Sequence, residues 1–211
     1  MEVLEIKQLK IPDIKVIRYG RFLDNRGYFS ESYRLSDVHT KFLNTFKFLQ
    51  VNESFSKKGV IRGLHFQWNP YMGKLVRTIK GTMVDIALDI RLGSPTFGKA
   101  ILYKIQTHEE KNHNEWIWIP PGFAHGNFFL EDTIIEYFCT GEYNPECEAA
   151  ISPLSEDISW SMADSKLKKD FEKFKKSNLL ISEKDKNGYS LQAWSKSRYS
   201  KNFPYSKLRI R

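Results

Sequence analysis

The chain has 211 residues, 41% of them hydrophobic and 14% aromatic, which fits one globular domain with a sizeable core and excludes a disordered chain. No apolar run reaches membrane-span length, and Met1–Lys7 lacks the basic-then-apolar layout of a signal peptide. A net charge of +8 leaves nucleic acid, membrane surfaces and small polyanions open as partners. The excess gathers at 166–176 and 196–211, as expected of a solvated face or tail. Two cysteines, Cys139 and Cys147, outside any CxxC spacing, predict a reduced, cytoplasmic setting.

In chain order, Ser36-Asp37 predicts a helix cap, with a short helix through about Asn44. Ile61–Gln67, reading Ile-Arg-Gly-Leu-His-Phe-Gln, is strand-like, and Gly63 inside it predicts a bulge. Such a bulge lets Arg62 and His65 address one cavity despite their opposite parity. Gly73-Lys74-Leu75-Val76-Arg77 follows the next turn. From Thr82 to Arg91, Val84, Ile86, Leu88 and Ile90 alternate with Asp85, Ala87, Asp89 and Arg91, the pattern of a half-buried strand.

Leu92-Gly93-Ser94-Pro95 reads as a turn, and Ala100–Gln106 and Glu115–Ile119 as further strands. Phe128–Leu130 and Ile134–Thr140 read as a hairpin turning at Glu131-Asp132. Short strands punctuated by Gly/Pro turns predict an all-β sandwich or jelly roll, with helices at its margins. Ser165–Lys176 carries Leu167, Phe171 and Phe174 at helical spacing among lysines, so a surface helix with one apolar stripe is expected. The last twenty residues are polar, aromatic and basic, able to dock or to remain mobile.

The chemistry-bearing residues are His65, Arg62, Lys74, His125 in Pro121-Gly122-Phe123-Ala124-His125-Gly126, Tyr137 and Tyr143. His65 is the candidate base, against the plainer reading of a satisfied structural histidine. Pro121–His125 resembles the second motif of cupins, which often bind metal. Gln67 stands where their first motif has its second histidine, and no acidic residue follows until Asp85. One or two histidines without a carboxylate make a weak metal site, so metal-independent chemistry is expected.

Together, the ordered motifs resemble the dTDP-4-dehydrorhamnose 3,5-epimerase family from about Val16 to Asp185. They are Asp24–Glu31, Gln50–Ser54, the Arg-Gly-Leu-His-Phe-Gln segment, Gly73–Arg77, Asp89–Gly98, Ile119–Gly126 and Leu180–Asp185. The resemblance implies a cupin-type double-stranded β-helix (jelly roll) with a few short peripheral helices. It implies one domain over 1–185, with the lysine-rich helix at about 164–178 inserted and 186–211 as a basic extension. It also implies a cofactor-free isomerase acting on a nucleoside-diphosphate, dTDP-type, 4-keto-6-deoxyhexose in deoxysugar and surface-glycan synthesis, and a homodimer.

By the same resemblance, His65 is the base, Asp185 its orienting carboxylate, Lys74 the cation for the enolate oxygen, and Tyr137 the acid on the opposite ring face. Arg26, Phe29, Glu31, Gln50, Asn52, Arg62, His125, Tyr143, Glu148 and Lys184 match substrate-binding positions, Tyr143 as the aromatic stacking on thymine. Glu142 replaces a family tyrosine, and Ala149–Pro153 departs from the usual run. These departures leave open the sugar, the nucleotide and whether one or both carbons invert. A single-centre epimerase or ketoisomerase, a non-catalytic sugar-nucleotide binder, and a nucleic-acid binder using the tail aromatics are the alternatives.

Overall fold

The computed structural model describes residues 2–37, 46–177 and 179–209. Two antiparallel sheets face each other. The first has the order β1 (Val3–Gln8), β2 (Lys15–Gly20), β10 (His113–Ile119), β7 (Lys74–Lys80), β12 (Thr133–Cys139), β5 (Gln50–Ser56). The second runs β13 (Glu148–Ala150), β6 (Ile61–Gln67), β11 (Phe123–Phe129), β8 (Thr82–Asp89), β9 (Ala100–Gln106). A separate hairpin joins β3 (Phe22–Asp24) to β4 (Gly27–Phe29). This is the jelly roll expected, and Ala100–Gln106 forms a strand with the bounds read from the sequence.

Strand alternation distributes the apolar residues into three layers. Met83 and Ala87 of β8 face the inter-sheet core with Val76, Ile101, Ile105, Ile117, Phe123 and Ile135. Val84, Ile86 and Leu88 point the other way, into a core shared with α1 (Ser165–Lys175) through Phe171 and Phe174. Asp164 caps α1, accepting from the amides of Lys166 and Leu167, and the apolar stripe lies where the spacing predicts. On the outer face of the six-stranded sheet, Phe46, Phe48 and Tyr33 cover Trp116, Trp118 and Phe138. Phe46 lies 5.1 Å from Trp118 and Tyr33 5.1 Å from Phe138.

Two expectations are corrected. β8 is buried along its whole length rather than on one face. Helices cover one side of it, and the acidic residues of the other side turn into the sandwich, where Asp85 finds His125 and Asn127. The strands on either side of Glu131-Asp132 form no hairpin, because β11 pairs with β6 and β8 while β12 pairs with β5 and β7. Both edges of β11 are already occupied, so the turn carries the chain across to the opposite sheet. Most of the helix expected over Ser36–Asn44 lies outside the described residues.

Beyond α2 (Glu183–Lys186), the chain continues through α3 (Leu191–Lys196) and α4 (Tyr205–Leu208). Trp194 and Phe203 are fully buried, with ring centroids 4.5 and 5.4 Å from Phe66 of β6. Tyr199 stacks on Trp68 at 5.1 Å. The tail therefore docks, and it backs the strand that carries His65. Trp194 and Phe203, which a nucleic-acid binder would expose for base stacking, are core residues here. No helix among the described residues is long and apolar enough to cross a membrane.

Candidate active site

Between the sheets lies a two-lobed cavity, one lobe of about 590 Å³ and the other of about 460 Å³. His65, Lys74, His125, Tyr137 and Lys184 line both lobes, so these five residues mark where the lobes meet. The two walls contribute different groups. His65 and His125 stand on β6 and β11 of the five-stranded sheet, Lys74 and Tyr137 on β7 and β12 of the six-stranded one. A ligand between the sheets is thus flanked by imidazole on one side and phenol on the other.

The bulge in β6 is where Gly63 predicts it. His125 pairs with His65 and Asn127 with Arg62, so the single residue Gly126 of β11 opposes two of β6, Gly63 and Leu64. The extra residue resets the alternation, and Arg62 and His65 line the same lobe. Gly63 has φ of +101°, and a Cβ there would lie 2.5 Å from the His125 carbonyl oxygen. Across the gap, a Cβ on Gly126 would strike the Arg62 carbonyl oxygen. Both glycines are required by backbone proximity.

Asp185 holds this geometry from α2, whose N-cap Ser182 accepts from the Asp185 amide. One carboxylate oxygen lies 2.7 Å from His65 Nε2, and the other accepts the Gly63 amide at 3.1 Å. Burial opposes ionisation of Asp185, but His65, the Gly63 amide and Ser182 outweigh it and hold the carboxyl below its ordinary range. With Asp185 ionised, Nε2 carries the proton it donates, and the lone pair that can act as a base is on Nδ1. Nδ1 lies 3.6 Å from Glu148 Oε1.

Glu148, on β13, receives Lys184 Nζ at 2.5 Å and the Tyr143 hydroxyl at 3.1 Å on its other oxygen. Gln50 and Asn52 face inward from β5, their side chains joined at 2.9 Å, and Gln50 also accepts the Tyr143 amide. Arg62 crosses to β5, donating to Ser56 Oγ at 2.9 Å and the Phe55 carbonyl at 3.1 Å. On the opposite wall, burial drives Lys74 below the ordinary lysine value, against the pull of Cys139, Glu148 and Asp85. Burial likewise pushes the Tyr137 phenol up, and hydrogen bonding from Asn52 and the charge of Arg62 offset only part of it. Lys74 Nζ lies 5.8 Å from the centre of the Tyr137 ring.

Eleven of the fourteen residues singled out from sequence therefore meet around one cavity: His65, Tyr137, Lys74, Asp185, Gln50, Asn52, Arg62, His125, Tyr143, Glu148 and Lys184. Arg26, Phe29 and Glu31 lie outside it. Arg26 is exposed and clamps Asp24 at 2.6 Å, closing the β3–β4 turn; Glu31 pairs with Arg34; Phe29 is 68% exposed. Sequence reading missed two positioning groups. Asp85 accepts from His125 Nε2 at 2.8 Å and from Asn127 at 2.9 Å, and Gln67 anchors the 142–144 loop by donating to the Glu142 carbonyl and accepting the Asn144 amide. Asp85 was in view as an acidic residue inside an apolar run, the one signal that pointed to it.

The family model described as dTDP-4-dehydrorhamnose 3,5-epimerase matches residues 8–193. The chain is 41% identical over 149 residues to the dTDP-4-dehydrorhamnose 3,5-epimerase of Neisseria gonorrhoeae, covering 70% of this chain and 44% of that relative. With the enzyme of the same name from Shigella flexneri it shares 35% identity over 189 residues, 88% of this chain and 94% of the other. Its fold is similar to the crystal structure of dTDP-6-deoxy-D-glucose-3,5-epimerase from Legionella pneumophila in complex with dTDP-4-keto-L-rhamnose. There the TM-score is 0.78 at 32% identity, covering 95% of this chain and 97% of that one.

Replacing Gly63 with Ala forces a side chain into the His125 backbone at a positive φ, a strain of about 1–3 kcal/mol. Because Arg62 and His65 shift with it, kcat/KM should fall by about 100-fold or more. Steady-state kinetics beside a thermal melt check this; wild-type kinetics in the variant would show that the bulge does not set the site.

Proposed function

The chain belongs to the dTDP-4-dehydrorhamnose 3,5-epimerase family, and from that premise we propose that it inverts the carbons flanking the C4 ketone of a dTDP-linked 4-keto-6-deoxyhexose. The observation that carries the reading is the pairing of His65 on one wall with Tyr137 on the other, both lining the two lobes. A hydrogen on a carbon next to a ketone is acidic because its electron pair moves onto the carbonyl oxygen. His65 Nδ1 takes that hydrogen, and Asp185, ionised and bonded to Nε2, stabilises the imidazolium. Lys74 faces the enolate oxygen, where a preorganised cation contributes about 3 kcal/mol.

Inversion then requires a proton on the other ring face. Tyr137 delivers it, and its raised pKa keeps the phenol protonated at neutral pH. Transfer stays downhill, since an enolate carbon protonated to a ketone is far less acidic than phenol. Arg62 and Lys184 suit the diphosphate and Tyr143, half exposed at the mouth, suits stacking on the base. His125, held by Asp85, with Gln50 and Asn52, fits the sugar hydroxyls. None of these steps calls on a redox cofactor. The setting that fits is cytoplasmic deoxysugar synthesis for a surface glycan, with Cys139 and Cys147 as free thiols.

A second copy of the chain completes the proposal. Phe22 and Phe29 on the hairpin, and Val51 and Phe55 on the outward face of edge strand β5, are each more than half exposed. A homodimer covering them would carry Arg26, Phe29 and Glu31 toward the neighbouring cavity. Sedimentation equilibrium should give twice the chain mass, and a Val51→Asp/Phe55→Asp double substitution should lower it to one; a monomeric wild type sinks this part.

Proton NMR of the dTDP-linked 4-keto-6-deoxyglucose in deuterated water should show deuterium entering at two ring positions, with inverted couplings at both. Exchange at one position supports the narrower single-centre activity, and none would refute the reading. The pH profile follows from the burial of Lys74. Burial lowers its ammonium from the ordinary 10.5 and pushes the Tyr137 phenol the other way, and the alkaline limb of kcat/KM is assigned to loss of the Lys74 charge. Lys74→Arg, which keeps its charge, should move that limb upward; an unmoved limb assigns it elsewhere.

A further inference from the structure

Every inversion leaves the catalytic pair in the wrong protonation state. The carbon–hydrogen bond breaks, its proton ends on His65 Nδ1, and the Tyr137 O–H bond breaks as its proton goes to carbon. Imidazolium and phenolate remain. Before a second carbon or a second substrate can react, His65 must lose one proton and Tyr137 must gain one, both by exchange with water.

Asp185 is ill placed for the first transfer. It is buried, its oxygens are committed to Nε2 and the Gly63 amide, and it faces the nitrogen that does not take the substrate's proton. Glu148 faces the nitrogen that does, at 3.6 Å. That separation is beyond a hydrogen bond in the free enzyme and needs to close by well under an ångström once the ring is charged. Its other oxygen is held by Lys184 and Tyr143, which are 58% exposed in the side chain and 52% exposed respectively, so the carboxylate sits between the base and solvent. We propose that Glu148 is the proton exit of His65: it takes the Nδ1 proton after each abstraction and passes it to water at the Tyr143–Lys184 mouth. The proposal rests on the epimerase reading and adds to Glu148 a positioning and relay role distinct from holding substrate.

The test follows wild type, Glu148→Gln and Glu148→Ala on the dTDP-linked 4-keto-6-deoxyglucose in deuterated water, by NMR. Two-position exchange in wild type secures the underlying reading; its absence would sink that reading and this inference with it. Given an active wild type, Glu148→Gln should lower kcat by about tenfold or more with KM changed much less, and release product exchanged and inverted at one carbon only. Added acetate should restore part of the rate to Glu148→Ala, where a small carboxylate has room to enter. A raised KM with unchanged kcat means that Glu148 only binds substrate. Slower turnover with an unaltered product ratio and no response to acetate means that the proton leaves another way. Either result overturns the proposal.

Discussion

The carboxylate of Asp185 does two jobs that no other group shares among the described residues of the cavity. One oxygen fixes the His65 ring through Nε2, and the other fixes the backbone bulge at Gly63 that brings Arg62 round to the ring's side. A group that is ionised, buried and bonded at both oxygens is costly to perturb, because removing either partner leaves an uncompensated acceptor in a low-dielectric site. The short helix that presents it is in turn fixed by the Ser182 cap and by the docking of the chain beyond it. His65, the bulge and the C-terminal segment therefore stand or fall together.

The jelly roll supplies the second requirement. Two sheets hydrogen-bonded within themselves can hold unlike groups at fixed separation across a ligand-sized gap, which one sheet cannot do. The imidazoles come from the five-stranded sheet, and the ammonium and phenol from the six-stranded sheet. The crossing at Glu131-Asp132, which sends β12 to the opposite sheet from β11, puts Tyr137 across from His125 rather than beside it. The Trp194 and Phe203 rings behind Phe66 stiffen the wall that carries His65 from its far side.

Much of this was legible in the residues. A glycine inside the Arg-Gly-Leu-His run announced the bulge, Leu167, Phe171 and Phe174 announced the helix stripe, and alternation located the strands. What stayed hidden depended on long-range pairing. The run around Glu131-Asp132 has the composition of a hairpin, and only the prior occupation of both β11 edges sends it elsewhere. Asp85 looked solvent-facing because alternation identifies two faces of a strand without saying what covers each. The tail's basic charge masked Trp194 and Phe203, whose burial depends on a surface offered by Phe66, more than a hundred residues earlier. Arg26, Phe29 and Glu31 were named by resemblance, and the single chain keeps them away from its own cavity.

The central claim is that His65 and Tyr137 serve opposite faces of one sugar ring, the first removing a proton and the second returning it. The most direct measurement is deuterium exchange at the carbons flanking the ketone in Tyr137→Phe and His65→Asn variants, read together with configuration. The account predicts that Tyr137→Phe still exchanges hydrogen for deuterium but with retained configuration, since only the His65 face remains active, and that His65→Asn exchanges nothing. Continued inversion in Tyr137→Phe, or exchange persisting in His65→Asn, would contradict it.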